Sequence, residues 1–303
     1  MATIALPKPQ VAKGKRGGRW SPWLFALPAL VVYVAFLVYP ALSSLFFSLT
    51  NWDGLSATYK FVGLENYFKL PSDPVVVTAV RNNLIWTVVT IAVPTVIGLL
   101  LAMALNGKVH GKPILRLVFY TPAVLPLVSI ASIWGWLYNP QYGAINSFLK
   151  LIGLDGLAQP WLGQDSTALW AVMVPAIWLR TGFPMLLYLA ALQGIPNELY
   201  EAATVDGATK WQQFWHVTMP SLRPAHYIVL ALSLIDSFKV FDMIYAMTYG
   251  GPGTSTQVLG TWMYFNVFQY YQAGYGTAIA VVITLVAIAV GIPYVRSQTK
   301  EAS

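Results

Sequence analysis

Long runs without a charged residue dominate the chain. Trp20 to Trp52 contains none, and Pro22–Leu49 forms a first apolar stretch. Asn82–Gly107 holds a second near Leu84–Leu105, and Leu117–Leu137 reads as a third. Ala168–Leu192 is a fourth, interrupted only by Arg180. Ala225–Met247 is a fifth, with Asp236, Lys239 and Asp242 inside it, and Thr277–Val295 is a sixth. About 20 apolar residues in a helix cross the hydrocarbon core of a bilayer, so each run is a candidate span. Strand alternation is absent, which argues against a membrane barrel. The pattern predicts an all-α membrane protein with six transmembrane helices. Pro94, Pro122, Pro126, Pro175 and Pro184 fall inside the runs. Membrane helices accommodate such prolines because neighbouring groups satisfy the freed carbonyls.

Composition narrows the class. The chain has 303 residues, 57% hydrophobic and 10% charged, with a mean hydropathy of +0.59. A soluble domain carries about a quarter charged residues. A soluble globule, a disordered chain and a nucleic-acid binder are therefore excluded. The net charge of +7 comes from scarce acids, 11 against 18 Lys and Arg, rather than from a basic face. There is no cysteine, and the three histidines lie apart with no ligand spacing, so no metal site or cofactor is expected.

Charge also orients the chain. With the N-terminus inside, twelve of the 18 Lys and Arg fall in inside segments and four outside, while Arg180 and Lys239 lie within spans. The excess places both termini in the cytoplasm. Asn51–Arg81, Tyr138–Thr167 and Thr248–Gly276 then face outside. The basic lead (Lys8, Lys13, Lys15, Arg16, Arg19) precedes a run too long for a signal peptide, so the first span is expected to stay uncleaved. Residues 1–21 form a basic tail, 22–295 the membrane domain, 194–224 a cytoplasmic loop within it, and 296–303 a second tail. No phosphate-binding G-x-x-x-x-G-K-[ST] occurs, nor H-E-x-x-H or G-x-S-x-G. Any ATP-driven work would need another chain.

The inside loop Gly194–Pro224 carries helix punctuation. Asn197 is positioned to cap a helix over Glu198–Asp206. Gly207 sits where a left-handed residue would end it, and Thr209-Lys-Trp-Gln212 is a capping-box pattern opening a second helix. Trp211, Phe214, Trp215 and Thr218 share one face of that helix, which could lie back on the bundle. Ala202 and Ala203 are small enough for close approach by another protein, with Glu201 beside them. Spacing alone leaves two readings: a structural hairpin at the membrane surface, or a lever.

Glu201-Ala202-Ala203, Gly207 four positions on, and Val217-Thr218-Met219-Pro220 after nine more residues resemble the EAA loop of ABC importer permeases. That signature reads E-A-A, three residues, G, nine residues, I-x-L-P. Phe61-Val-Gly-Leu-Glu-Asn-Tyr67, Tyr120-Thr-Pro-Ala123, Tyr138-Asn-Pro-Gln-Tyr-Gly143 and Thr248-Tyr-Gly-Gly-Pro-Gly253 are similar to stretches of type I sugar-importer permeases of the maltose and glycerol-phosphate kind. The likeness runs roughly from Trp23 to Val295. It implies the compact six-span type I permease fold, without the extra spans and large outer domain of the bigger maltose permease. It implies as partners a second homologous permease, two ATP-binding-cassette ATPase subunits, an extracytoplasmic solute-binding protein and membrane lipid. By this carry-over Glu201, Ala202, Ala203, Asp206 and Gly207 are coupling residues that dock in the ATPase.

Arg180, Asp236, Lys239 and Asp242 lie within apolar runs, where each charge costs at least about 2.5–3.5 kcal/mol on insertion scales. They must face protein or water. One reading is a network that holds helices together. The other is a polar patch on a solute pathway, lined by Arg180, Phe183, Ser233, Asp236, Ser237 and Lys239, with the aromatic faces of Phe183 and Trp178 to stack on sugar rings. The formal charge of the four groups sums to zero, which suits a neutral sugar or polyol. Arg180 and Lys239 together could instead hold a glycerol-phosphate-like solute. A proton-coupled secondary transporter, relaying through Asp236 and Asp242, is the competing class, and it has no use for an ATPase lever. Ile145, Phe148, Leu149 and Ile152 are spaced for a short interfacial helix outside.

Overall fold

The computed structural model describes residues 21–301 except Lys108, with side chains from Ala26 to Tyr294. The expected basic tail lies outside the described residues, apart from Ser21. The chain divides into two compact units, residues 1–44 and 45–303.

In the first unit α1 (Ser21–Tyr33) passes through a π-helical turn, Val34–Val38, into α2 (Tyr39–Phe47). The turn precedes Pro40, which has no N–H to give the ordinary i−4 carbonyl, and the Tyr39 amide reaches back to the Val34 carbonyl instead.

The second unit is built on α4 (Pro74–Asn106) and α8 (Ala168–Gln193). The buried residues of α4 are Val76, Ala79, Asn82, Trp86, Thr90, Pro94, Gly98, Ala102 and Leu105, a stripe stepping by three or four along one face. Trp86 packs with Val172 and Met173, and Ala102 and Leu105 pack with Met185, Leu189 and Leu192, so the two helices run in the same direction. They touch most closely at Gly98, where a Cβ would stand 2.7 Å from the Pro184 Cβ and 2.9 Å from the Met185 amide nitrogen. In lipid no hydrophobic drive separates one apolar face from another, and close approach at small residues becomes the main source of association. A shared span of packed backbone between α4 and α8 is what Gly98 provides.

α12 (Arg223–Phe238) returns alongside. Ala225 and Val229 join the cluster around Leu192, while Val240 beyond its end joins that around Trp86. α15 (Ala273–Glu301) follows the direction of α4: Ile279 packs with Leu70 and Val76, and the Tyr294 hydroxyl donates to the Tyr227 carbonyl. α15 continues as helix through Glu301, past the start of the tail expected at residue 296. The bundle therefore has two ends. One carries Asp73, Ala168, Val240 and Tyr275. The other carries Leu105, Leu192, Leu222 and Tyr294.

Among the described residues there is no sheet, only an isolated bridge between Thr50 and Phe61. Four helices are long and apolar enough to cross a membrane: Ala26–Phe47, Pro74–Asn106, Ala168–Gln193 and Ala273–Tyr294. Two of the six expected runs depart from straight spans. The third bends by 101° between Lys112–Val124 and Leu127–Leu137. Pro126 is the cause, because it drives Leu125 before it into extended backbone, φ −78° and ψ 142°. Counting that pair as one span gives five. The fifth run breaks after Phe238 and resumes as α13 (Asp242–Thr248), with Phe241 at φ −153° and ψ −61°. Its first piece is 16 residues, about 24 Å at 1.5 Å per residue, short of a core about 30 Å thick. The charges that sequence analysis placed inside a continuous helix sit at and around this break.

Candidate functional site: a rigid elbow and a broken helix

The elbow follows directly from α8. Its first helix is α9 (Asn197–Val205). Pro196, in extended backbone, occupies the N-cap position without a side-chain cap bond, so Asn197 is the first helical residue and not the cap expected for it. The end of α9 matches expectation closely. Gly207 has φ +78°, its amide donates to the Thr204 carbonyl at 3.0 Å, and the Ala208 amide reaches the Ala203 carbonyl at 2.9 Å. These two bonds form a Schellman motif, which satisfies the carbonyls a helix end leaves open. Two residues on, the Thr209 hydroxyl accepts from the Gln212 backbone amide and the Gln212 side-chain Oε1 accepts from the Thr209 backbone amide at 2.8 Å, a complete capping box. α10 (Lys210–Gln213) then widens into a π-helical turn over Phe214–Thr218 and ends in the short α11 (Met219–Ser221).

Side chains brace the bend. Gln213, 4% exposed, donates through Nε2 to the Thr204 hydroxyl at 2.9 Å and to the Ala208 carbonyl at 3.3 Å. The Tyr200 and Thr218 hydroxyls meet at 2.9 Å. Both contacts tie the first arm to the second, and sequence analysis did not single out either one. Their signal was a polar residue five positions before Thr218, the spacing of a π-turn rather than of an α-helix. That spacing also corrects the expected apolar face. Gln213 and Thr218 turn inward, while Trp211 and Trp215 are exposed, packed on Phe214 and on each other.

Glu201, Ala202, Asp206 and Gly207 are exposed and Ala203 is half-buried. Val205 beside them is 88% exposed, an apolar tip that sequence analysis missed. Ala203, Asp206, Gly207, Gln212, His216 and Val217 line a recess of about 250 Å³ in the bend. The result is a stiff projection with a small-residue surface, held to the bundle through Leu192, Leu222 and Ala225 in one buried cluster. Beneath it the Tyr188 hydroxyl and His226 Nδ1 lie 2.8 Å apart, joining α8 to α12.

The proposed pathway residues cluster only in part. Arg180 on α8 donates through Nη2 to the main-chain carbonyl of Asp236 at 3.3 Å. Asp236 and Lys239 are exposed and Arg180 and Ser233 half-buried, as is Leu234, while Phe183 is 41% exposed on α8. Ser237 is fully buried and its hydroxyl donates to the Leu234 carbonyl at 2.7 Å, which sets it in the wall of α12. No ion pair links Arg180, Asp236, Lys239 and Asp242; among the described residues the salt bridge is Lys69 with Glu65 at 2.7 Å. The helix-gluing ionic network is therefore not formed. What forms is a guanidinium on an opened helix end.

The family described as binding-protein-dependent transport system inner membrane component matches residues 94–299. A probable ABC transporter permease protein, YurN of Bacillus subtilis, is 39% identical over 89% of this chain and 93% of its own. The multiple sugar-binding transport system permease protein MsmF of Streptococcus mutans is 34% identical over 92% of this chain and 95% of its own. A bacterial ABC transporter involved in the import of the acidic polysaccharide alginate has a chain that matches in structure with a TM-score of 0.80, covering 93% of this chain and 96% of that one at 23% identity, a likeness of fold.

Proposed function

Since this chain belongs to the family of binding-protein-dependent transport system inner membrane components, we propose that it is the permease subunit of a carbohydrate ABC importer, driven by ATP hydrolysis on a separate subunit. Relatives named for sugar transport, MsmF among them, support the carbohydrate reading. The six spans are the four long helices, the pair bent at Pro126, and the broken α12–α13 run. Residues 22–295 are the membrane domain, 194–224 its cytoplasmic coupling loop, and both termini are cytoplasmic. The partners are a second permease, two ATPase subunits, an outer solute-binding protein and lipid.

The observation that carries this reading is the elbow. Glu201, Ala202, Ala203, Asp206 and Gly207 form its exposed arm and bend, and the Gln213 and Tyr200 contacts keep the bend from flexing. A stroke delivered to the arm passes to Leu192 and Leu222, and so to α8 and α12 together. Those two helices carry the polar patch. Arg180, Phe183, Ser233, Asp236 and Lys239 line the pathway, with Ser237 behind them. A helix broken at membrane depth exposes main-chain groups, which is tolerated where they face protein or a water-filled cavity. Such groups accept sugar hydroxyls. Moving α8 against α12 would open and close that stretch.

The test is reconstitution of this chain with its partner permease, ATPase and binding protein in proteoliposomes. Labelled sugar accumulates with ATP inside the ATPase's compartment and continues in the presence of a protonophore. Accumulation that needs a proton gradient and ignores ATP would overturn the reading.

A further inference from the structure

At the end of the bundle opposite the elbow lies a cavity of about 810 Å³, between the segments Asn51–Asp73 and Trp262–Tyr275. That volume is in the range of small-molecule sites, about 300–1,000 Å³. We propose that this cavity is a binding subsite for a neutral saccharide, separate from the pathway residues on α8 and α12. The proposal rests on the reading that this chain handles carbohydrate.

Three observations carry it. The first is the aromatic lining. Phe68 is 75% exposed, Tyr270 50% and Tyr271 54%, so wide ring faces border open space. Trp262, the inner wall, is fixed by its indole N–H donating to Asp73 Oδ2 at 3.0 Å and by edge packing against Tyr270. Amphipathic ring faces with a polar rim match a sugar, whose C–H face is apolar and whose edge is hydroxyl.

The second is stored strain. Tyr271 has φ +52°, which for a residue with a side chain costs about 1–2 kcal/mol. Hydrogen bonds on both sides hold it there: the Tyr270 amide donates to the Phe265 carbonyl at 2.9 Å and the Gln272 amide to the Asn266 carbonyl at 2.8 Å. Strain of this kind persists where surrounding structure over-determines it, and it gathers at ligand clamps.

The third is the charge. Lys69 is the one cation in the lining and is held by Glu65 at 2.7 Å. Both Asp73 oxygens are taken, Oδ1 by the Val75 and Val76 amides and Oδ2 by Trp262 and the Tyr275 hydroxyl. The Lys69–Glu65 pair is exposed and weak, but with Glu65 and Asp73 the lining carries one cation against two carboxylates, a balance that disfavours a phosphate or a carboxylate. The Gln272 side-chain amide and the Ser72 hydroxyl make no hydrogen bond among the described residues and remain for sugar hydroxyls. A neutral sugar fits and an acidic one does not.

The test uses the assembled importer in lipid nanodiscs without its binding protein. Saturation-transfer NMR is recorded with maltotriose and trehalose at millimolar concentration, and with glucuronate as the anionic control. Transfer to the neutral sugars and none to glucuronate is expected. Tyr270→Ala and Phe68→Ala each weaken the interaction, and together by about tenfold, while Tyr271→Phe keeps the ring and the signal. Gly291→Ala, remote from the cavity and with nothing within 4 Å of the added Cβ, leaves the signal in place. No transfer to either neutral sugar overturns the proposal, even where the same particle imports sugar with ATP; that result would leave the importer reading standing. A particle that binds maltotriose at the cavity yet imports no sugar would do the reverse. If the cavity variants keep the sugar signal and instead lose the binding protein in a pull-down, the surface belongs to that partner and the proposal falls.

Discussion

The guanidinium of Arg180 donates to the main-chain carbonyl of Asp236 across 3.3 Å, and so joins the helix before the elbow to the last turn of the helix after it. That carbonyl also accepts the Lys239 amide at 3.3 Å, a tightened last turn that forms because the chain breaks at Lys239–Phe241. A cation at a helix C-terminus meets the negative end of the helix dipole as well as the second lone pair of that carbonyl. Arg180→Met keeps the bulk and removes both. A hydrogen bond to a charged group is worth about 1.5–3 kcal/mol, and the expected loss is of that order. Hydrogen exchange read by mass spectrometry checks it: the amides of residues 237–242 exchange faster in the variant. Equal exchange would mean that the break holds itself.

Gly98 tests the axis of the bundle. Gly98→Ala places a Cβ 2.7 Å from the Pro184 ring Cβ and 2.9 Å from the Met185 amide nitrogen, a rigid ring and a backbone atom that cannot swing aside. Overpacking of this kind costs about 1–3 kcal/mol. The thermal midpoint of the purified complex should fall by several degrees. Gly291→Ala, where nothing lies within 4 Å of the added Cβ, should leave it unchanged or slightly raised.

Asp73 gives a pH dependence at the other end. Burial alone would raise its pKa above 3.8, but hydrogen bonds from Tyr275, Trp262 and the amides of Val75 and Val76 outweigh it and hold the folded value lower. A depressed carboxylate contributes its stability above the unfolded pKa and loses it as pH falls through the folded value. Asp73→Asn should therefore lower the melting midpoint at neutral pH, and the gap from the wild type should close as pH drops below 3.8. A gap that stays constant throughout would exclude the charge as its source.

The fold was legible where local chemistry decides it. Thr209 and Gln212 announce their capping box, and Gly207 its left-handed turn, because both are set by a handful of adjacent residues. The breaks were not legible. In an apolar run every face of a helix reads alike, since lipid and protein interior are both apolar. The stripe from Val76 to Leu105 is invisible against the valines and leucines beside it. Pro126 could have signalled the 101° bend through its effect on Leu125, but Pro94 and Pro184 sit within unbroken helices and carry the same letter. At the break the Asp236 carbonyl meets an arginine 56 positions earlier in the chain, a contact that no local pattern reports. Of the site, the elbow's exposed arm was readable from its spacing. The braces Tyr200 and Gln213 were not, because their partners become neighbours only once the bend has formed.

The bend's conformation predicts how Gly207 tolerates replacement. At φ +78° a β-branched residue carries a penalty of about 1–2 kcal/mol or more, whereas Asn visits this region readily. Gly207→Val should uncouple: the ATPase keeps hydrolysing but loses its stimulation by sugar-loaded binding protein. Gly207→Asn should retain most of the stimulation. ATP hydrolysis in nanodiscs, with and without the loaded binding protein, separates the two.

The chain contains no cysteine, so a single introduced thiol reports on one place. In the assembled importer, Ala203→Cys carrying a short photo-crosslinker on the elbow should form a covalent adduct with the ATP-hydrolysing subunit, and Phe68→Cys at the far end should form none. An elbow that crosslinks only to lipid or to its own chain, in a particle that still imports sugar with ATP, would contradict the account.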